Sequence, residues 1–263
     1  MTVRLIHLSD IHFGGEHPEA VAAAAARIAQ ESADLIVISG DVTRFAERHE
    51  FVAARRWIDA LDGDKFIVPG NHDTPYFDIA QRVLHPWRRY NACFKTTRPP
   101  NVVRPGLFVT GFNSARGVQV RLDWSKGAVS RGQRHRVVDR LETAEPGALR
   151  VVVCHHPLAE IIGGPITARV RGGSRTAAAL TQARTDIVLT GHIHVPFAMA
   201  YPCGDQKTYA VGAGTLSVRE RGVPPSFNLI EADEATITVT ALAWTGSGFE
   251  PHRTWALDRR AQA

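Results

Sequence analysis

Cysteine is scarce in this chain. Only three of the 263 residues are cysteines, and Cys93, Cys154 and Cys203 lie far apart. No two of them have the short spacing of a thiolate metal site, and three thiols cannot all pair within one chain. The scarcity therefore excludes a disulfide framework and predicts reduced thiols in a cytoplasmic protein.

Long apolar runs are also missing. No stretch reaches the ~20 apolar residues that a membrane-spanning helix requires. The apolar run near the N-terminus, "VRLIHL", is too short for the core of a signal peptide, and no small-residue cleavage site follows it. We therefore expect no membrane-spanning segment and no membrane partner.

Two common catalytic motifs are absent as well. The sequence contains neither a "GxxxxGK" phosphate-binding loop nor a "GxSxG" nucleophile elbow. The stretch "GAGTLS", which begins at Gly212, resembles the start of a dinucleotide fingerprint, but it lacks the third glycine and no helical pattern follows. We interpret it as a turn.

The composition is that of an ordinary globular protein, with 44% apolar and 22% charged residues. Lys and Arg number 31 against 26 Asp and Glu, so the formal net charge is +5. This excess suits an anionic substrate, but it equally suits a solvated basic surface. No internal repeat or low-complexity linker interrupts the chain, and we predict one domain over residues 1–263.

Strand-like and helical patterns alternate through most of the chain, which predicts an α/β fold with a parallel sheet. The segment from Phe197 onward reads instead as short antiparallel strands that extend the first sheet or form a second one. The predicted strands include Val3 to Leu8, Leu35 to Ser39, Phe66 to Val68, Leu107 to Phe112, Leu149 to Cys154 and Asp186 to Thr190. The predicted helices are Pro18 to Gln30, Phe45 to Leu61, Ser130 to Ala144 and Ser174 to Ala183.

Metal-type ligands follow five of the predicted strands, at the point where each strand ends. A glycine comes first in three of these cases, at Gly40, Gly70 and Gly191, and glycine lets the backbone turn sharply beside a site. Ligands of open α/β sheets bind beyond the carboxyl ends of the strands, so we predict that these side chains converge along one sheet edge. The residues concerned are Asp10, His12, Asp41, Asn71, His72, Asp73, His155, His156, His192 and His194.

The chemistry of this set indicates which ions it would bind. Imidazole, carboxylate and amide ligands without thiolate suit Mn, Fe, Co or Zn. Seven ligating side chains are too many for one catalytic ion with an open position, but they suit two ions that share a carboxylate. The sequence therefore predicts a pair of divalent metal ions as cofactor.

The motifs "DIH", "GDV", "GNHD", "CHHP" and "GHIH", in this order and spacing, resemble the calcineurin-like metallophosphoesterase superfamily. The resemblance spans Asp10 to His194. It implies an α/β fold of the four-layer αββα type, in which two packed mixed sheets are flanked by helices. It also implies a phosphoric ester hydrolase with a two-metal centre.

The resemblance also implies a role for each residue. Asp41 would bridge the two ions, His72 would face the phosphate as a proton or hydrogen-bond donor, and Asp73 would orient His72 or brace its loop. His155 rather than His156 would be the ligand, because it comes first after its strand. The first ion would be held by Asp10, His12, Asp41 and His194, and the second by Asp41, Asn71, His155 and His192.

The substrate implied by the resemblance is a small phosphodiester, of the cyclic-nucleotide or glycerophosphodiester type. The opening "LSDIHFG" and the stretch beginning "VGAGTLS" look most like the bacterial branch that contains such enzymes, including class III cyclic-nucleotide phosphodiesterases. In the predicted mechanism, a hydroxide held between the two ions attacks phosphorus in line. Specificity is expected in the loops Thr74 to Arg104 and Ile161 to Ser174.

Several alternatives stay open on the sequence alone. The same two-metal chemistry would serve a phosphomonoesterase or a nuclease, although a nuclease would need a DNA-contacting domain for which there is little room. A scaffold protein without metals is disfavoured because no ligand is missing. Asn113 and Arg171 are weaker candidates for substrate contacts, the alternatives being a turn and a solvated loop. The oligomeric state is undecided, with a homodimer as one option.

Overall fold

Two six-stranded sheets form the centre of the protein. The computed structural model describes residues 2–94, 101–121, 123–160 and 170–260. The first sheet has the order β12-β11-β10-β1-β2-β3 and the second β4-β5-β6-β7-β9-β8. The strands are β1 (Val3–Leu8), β2 (Leu35–Ile38), β3 (Lys65–Ile67), β4 (Asn101–Arg104), β5 (Leu107–Gly111), β6 (Leu149–Val153), β7 (Ile187–Thr190), β8 (Phe197–Ala200), β9 (Tyr209–Gly212), β10 (Ser226–Ala232), β11 (Thr236–Trp244) and β12 (Phe249–Asp258).

Six helices are found in the described part of the chain. The predicted N-cap of one of them is confirmed. The Ser130 side chain accepts a hydrogen bond from Gln133 N, and the Gln133 side chain accepts one from Ser130 N. The helices are α1 (Pro18–Ile28), α2 (Arg48–Ala60), α3 (Ile79–Leu84), α4 (Arg88–Phe94), α5 (Arg131–Leu141) and α6 (Gly173–Gln182).

Three apolar cores separate four layers. The alternation of side chains along each strand sends Leu5 into the space between the sheets and Ile6 toward the helices. The core between the sheets joins residues of both, such as Val37 and Val151. Helices α1, α2 and α4 cover the first sheet, and α5 and α6 cover the second. The predicted αββα sandwich is confirmed, while the assignment of residues 1–263 to one domain stays a prediction.

The sheet topology corrects two details. The prediction of a single shared edge is wrong, because β1, β2 and β3 belong to the first sheet while β6 and β7 belong to the second. The strands after Phe197 pair with one another in antiparallel fashion, as predicted, but β9 also pairs in parallel with β7. Hydrogen-bonding partners from distant segments decide strand direction, and the local sequence does not specify them.

The region from Thr74 to Arg104 contains more regular structure than the predicted loop. It includes α3, α4 and β4, and Tyr90 and Phe94 of α4 are fully buried against α2. Helices of six or seven residues show too few turns for their periodicity to be read. Most of the other predicted specificity loop, residues 161–169, lies outside the described residues, as do residues 95–100.

No helix in the described ranges combines the length and the apolar character needed to cross a bilayer.

Candidate metal centre

The ends of five strands meet at one end of the sandwich. Strands β1, β2 and β3 lie side by side in parallel, as do β6 and β7 in the facing sheet. Contacts between the two sheets close the site, since His192 N donates to Asp10 Oδ2 at 2.9 Å. The predicted ligands therefore converge, although they come from two sheets.

One group of ligand atoms is formed by Asp10, His12 and His194. The Nε2 atom of His194 lies 3.1 Å from Asp10 Oδ1 and 3.3 Å from His12 Nε2. His12 Nε2 is 3.8 Å from Asp10 Oδ1 and 3.9 Å from Asp41 Oδ2. Two atoms that bind one ion at about 2.1 Å lie roughly 3 Å apart, so this group matches the size of a single ion site.

A second group lies on the other side of Asp41. His155 Nε2 is 3.2 Å from Asp41 Oδ2, and His192 Nδ1 is 3.2 Å from Asn71 Oδ1. The rings of His155 and His192 are 5.3 Å apart. Asp41 Oδ2 therefore faces histidines of both groups, as a bridging carboxylate must.

Backbone carbonyls select the nitrogen that each histidine presents. A carbonyl can only accept, so Nδ1 donates to Thr43 O in His12 (3.2 Å), to Ser39 O in His155 (2.9 Å) and to Arg219 O in His194 (2.8 Å). In each of these rings Nε2 is the nitrogen that faces the cluster. Such an arrangement orients the ring and fixes the tautomer of a metal-ligating histidine.

The structure distinguishes His155 from His156. His156 Nε2 donates to Ser125 O at 2.7 Å, and Nδ1 lies 2.9 Å from Ser114 Oγ. Both ring nitrogens of His156 are thus occupied by protein partners, although the ring lies 4.5 Å from that of His192. This geometry supports the choice of His155 as the ligand.

Two buried atoms of the cluster support the fit to metal ions. Asp10 Oδ1 and His155 Nε2 are buried and make no hydrogen bond of good geometry with the described residues. A buried polar atom without a partner costs about 1–3 kcal/mol, and a bound cation would satisfy both. The donors are imidazole, carboxylate and amide groups, which suit divalent ions of the Mn, Fe or Zn type.

The protonation states also suit metal binding. Burial by itself raises the pKa of Asp41, but the charges of His155 and His72 outweigh it and bring the pKa well below its usual value. Burial lowers the pKa of His12 to about 3 and that of His192 well below normal. The carboxylate is thus charged and these two imidazoles are neutral at pH 7, which are the forms that ligate.

His155 differs from the other two imidazoles. Burial lowers its pKa, but the negative charge of Asp41, whose Oδ2 lies 3.2 Å from Nε2, outweighs burial and raises the pKa to about 9. In the metal-free protein this imidazole therefore carries a proton at pH 7. An incoming cation would displace that proton.

A comparison with protein-family models gives a match to calcineurin-like phosphoesterase over residues 3–196. The match covers both ligand groups. The chain belongs to the calcineurin-like phosphoesterase family. Membership implies a phosphoric ester hydrolase of a dimetal-dependent type. A comparison with curated protein sequences found no match.

Solved structures of the same fold share little sequence with this phosphoesterase. A purple acid phosphatase from yellow lupin is 11% identical with a TM-score of 0.70, and the alignment covers 98% of this chain and 54% of that one. A dimetal phosphatase from Danio rerio is 10% identical with a TM-score of 0.69, covering 98% and 99%. An anchor protein of the Plasmodium inner membrane complex is 13% identical with a TM-score of 0.65, covering 99% and 90%. These likenesses show the fold, and this chain spans about half the length of the lupin enzyme.

Five of the ligand residues of this phosphoesterase have left-handed backbone conformations. The φ angles are 53° at Asp10 and His12, 50° at Asp41, 70° at His192 and 63° at His194. Residues other than glycine rarely adopt positive φ, and each instance costs about 1–3 kcal/mol. The backbone is thus strained at five predicted ligands. The strain fixes the directions of these side chains and costs local stability.

Glycines at the strand ends allow close approach to the ligands, as predicted. Gly40 has φ +107°. A Cβ atom at Gly70 would overlap with Asp41 Oδ1, and one at Gly191 would overlap with Ser9 Oγ and Asp10 Oδ2. A methyl group at these positions would therefore displace a ligand.

We expect Gly191→Ala to destabilise the protein by about 1–3 kcal/mol through overpacking and to lower its metal content, because Asp10 must move. Gly248→Ala is the matched control, since a Cβ there meets no atom within 4 Å. Thermal unfolding and metal analysis of both variants test this. Normal metal content in Gly191→Ala would contradict the expected displacement of Asp10.

His72 lies at the edge of the cluster and is only partly buried. Its ring is 4.8 Å from that of His12. Nδ1 donates to Arg44 O at 2.7 Å, and Nε2 accepts from Arg219 Nη1 at 3.1 Å, because a guanidinium can only donate. Nε2 is therefore the nitrogen available to a substrate.

Asp73 has a different environment. Its buried carboxylate accepts hydrogen bonds from the backbone of Gly70 (2.9 Å), Val42 (3.3 Å) and Thr43 (2.9 Å), and from Thr43 Oγ1 (2.9 Å). These bonds tie the loop after β3 to the loop after β2. Of the two predicted roles, the geometry favours bracing the loop over orienting His72.

The two weaker substrate-contact candidates lie outside the ligand groups. Asn113 Oδ1 accepts from Ala115 N at 2.9 Å, which is an Asx-type turn. Arg171 is exposed, and its backbone pairs with Gly127 and Val129. Their proposed contacts with substrate stay predictions.

Arg219 is a residue at this site that the sequence reasoning did not identify. It lies in the connection between β9 and β10, where its carbonyl orients His194 and its guanidinium reaches His72. It follows the last motif by 25 residues. The motif "SVRERG" carries no metal-ligand or catalytic pattern, so nothing local in the sequence marked it.

Proposed function

We propose that this protein is a two-metal phosphodiesterase that acts on a small diester. Seven predicted ligands would hold the ions. The observation that carries the proposal is that their atoms form two closely spaced groups, each with a histidine that faces Asp41 Oδ2. The residues are Asp10, His12, Asp41, Asn71, His155, His192 and His194. Two bound divalent ions would polarise the phosphoryl group and offset the negative charge that develops on its oxygens.

His72 would then act on the leaving group. The hydrogen bond to Arg44 O fixes the orientation of its ring, so that Nε2 faces the position of a substrate beside the ligand groups. An alkoxide leaves poorly from phosphorus unless it receives a proton or a hydrogen bond. We assign this donation to Nε2, which accepts from Arg219 in the absence of substrate and would first take up a proton from solvent, with Asp73 holding the loop that carries His72.

A cavity beside the ligands supports a diester as substrate. It has a volume of about 500 Å³, and Asn71 and His72 form one side. Tyr76, Ile79 and Trp124 line it as well, and they offer apolar area to an organic group. A diester has a second organic group beside its phosphate, and this wall would accommodate it.

The partners and the location follow the same reasoning. A cavity of this size suits a small molecule better than a nucleic acid. Cys93, Cys154 and Cys203 are all free thiols, which is consistent with a reducing, cytoplasmic compartment.

The proposal is tested by removing and restoring metal. We expect a chelator to abolish turnover and Mn²⁺ to restore it, with hydrolysis of bis-p-nitrophenyl phosphate and cyclic nucleotides exceeding that of p-nitrophenyl phosphate. An Asp10→Asn preparation, purified identically, should be inactive and serves as the control for contaminating enzymes. Preference for the monoester would show that the protein is a phosphomonoesterase and not a phosphodiesterase. Absence of all turnover in metal-loaded protein would refute both functions.

A further inference from the structure

Two arginines lie beside the candidate metal centre and have no carboxylate partner among the described residues. Arg219 is exposed, and Arg221 is partly buried. Arg221 Nη1 is buried and has no hydrogen-bond partner among the described residues. Burial and the charge of Arg219 lower the pKa of Arg221, whereas Asp10 raises it, so both groups are close to this guanidinium.

The backbone of Arg219 is held firmly in place. Its N–H donates to Ser217 Oγ at 3.2 Å, and its carbonyl accepts from His194 Nδ1 at 2.8 Å. Ser217 Oγ lies 2.7 Å from Thr215 Oγ1, which donates to Asp10 O at 2.6 Å. A chain of hydrogen bonds thus links Arg219 to two predicted metal ligands.

The side chain of Arg219, by contrast, has few contacts with the described residues. It is exposed, and its one described hydrogen bond is the donation from Nη1 to His72 Nε2. A neutral imidazole is a weak partner for a guanidinium, which prefers carboxylate or phosphate oxygens. The contact therefore leaves most donors of Arg219 available to an anion at the position where His72 would meet the substrate.

The balance of charge points in the same direction. Two divalent ions would exceed the charge of the carboxylates Asp10 and Asp41, and Arg219 and Arg221 add further positive charge. A bound anion would stabilise this excess of positive charge. A phosphoryl group is the anion that the proposed reaction brings to this position.

We infer that Arg219 is a substrate-binding residue whose guanidinium transfers from His72 Nε2 to a non-bridging oxygen of the phosphoryl group when substrate binds. This inference rests on the proposed function. In the absence of substrate the guanidinium donates to His72 Nε2. In its presence that nitrogen is released, takes up a proton from solvent and gives it to the leaving group. Arg221 adds positive charge behind it.

The inference is tested with Arg219→Gln and Arg219→Lys, and with Arg56→Gln as a matched control on the exposed face of α2. For Arg219→Gln we expect a rise of about tenfold or more in the KM for bis-p-nitrophenyl phosphate and in the inhibition constant of inorganic phosphate, since a charge-assisted hydrogen bond is lost. Arg219→Lys should recover part of the loss. Metal content should equal that of the wild type, and Arg56→Gln should stay within about twofold.

A second measurement separates binding from an effect through His72. In a His72→Ala background, Arg219→Gln should still weaken phosphate inhibition about tenfold. If the weakening disappears there, or if only kcat changes, Arg219 positions His72 and the inference is wrong. Calorimetric titration of metal-loaded protein with inorganic phosphate compares the phosphate affinity of the same variants without turnover. The inference therefore stays testable even if no ester is hydrolysed and the proposed function fails.

Discussion

Replacing Asp41 by asparagine is expected to reduce turnover by more than about 100-fold and to weaken the binding of both ions. Mutating a residue that only hydrogen-bonds to a metal ligand already costs up to about 100-fold. Asp41 Oδ2 lies 3.2 Å from His155 Nε2 and 3.9 Å from His12 Nε2. Its Oδ1 accepts a hydrogen bond from His72 N at 2.7 Å. Oδ1 is therefore an acceptor, and Oδ2 is the predicted bridging oxygen.

An amide cannot reproduce this pattern in either orientation. If the NH₂ group replaces Oδ2, the bridging ligand is lost. If the amide is flipped, the NH₂ group faces His72 N–H, and two donors confront each other. Asparagine has nearly the same shape as aspartate, so the effect isolates chemistry from packing.

Metal analysis and steady-state kinetics of Asp41→Asn test this expectation. Asp62→Asn, an exposed position just after α2, is the control and should behave as wild type. Two equivalents of tightly bound metal together with full activity in Asp41→Asn would refute the bridging role.

Replacing His72 by alanine is expected to give the second large effect, a loss of about 10²–10⁴-fold in kcat for diesters with alkoxide leaving groups. His72 is outside the predicted ligand set, and its backbone N–H to Asp41 is retained in alanine. Metal content should therefore not change. The loss should be much smaller for bis-p-nitrophenyl phosphate, because p-nitrophenolate leaves without a proton.

The contrast between the two substrates is the decisive measurement. His135→Ala, on the exposed surface of α5, controls for the removal of an imidazole elsewhere. Equal losses on both substrates would remove the proton-donor role and leave His72 with binding alone. Loss of metal would instead place His72 among the ligands.

The types and positions of the predicted ligands could be read from the sequence, because strands and strand ends are recognised from short segments of sequence. Each short apolar run predicts a buried strand, and the polar residues directly after it must lie at the strand end. Asp10, Asp41 and His192 could be found in this way. The family resemblance added the pairing of ligands with ions, which stays a prediction.

The roles of Asp73 and His156 needed the structure. Both are adjacent in sequence to residues of the candidate site, but the orientation of their side chains turns them to loop-bracing and packing contacts. The directions of the Asp10, His12 and Asp41 side chains depend on positive φ angles at these residues. Backbone conformation after a strand depends on what packs around it, and a strained conformation is the opposite of what local propensity predicts.

The sequence by itself determined the α/β class, the strand ends and the side chains that are predicted to bind two divalent ions. Only the tertiary structure decided that these residues come from two facing sheets, that β9 runs parallel to β7, and that Arg219 meets His72 across 147 positions of the chain. Strand and ligand patterns arise from interactions between near neighbours in sequence. Sheet partners and long side-chain contacts arise from the packing of the whole chain, which no short segment encodes.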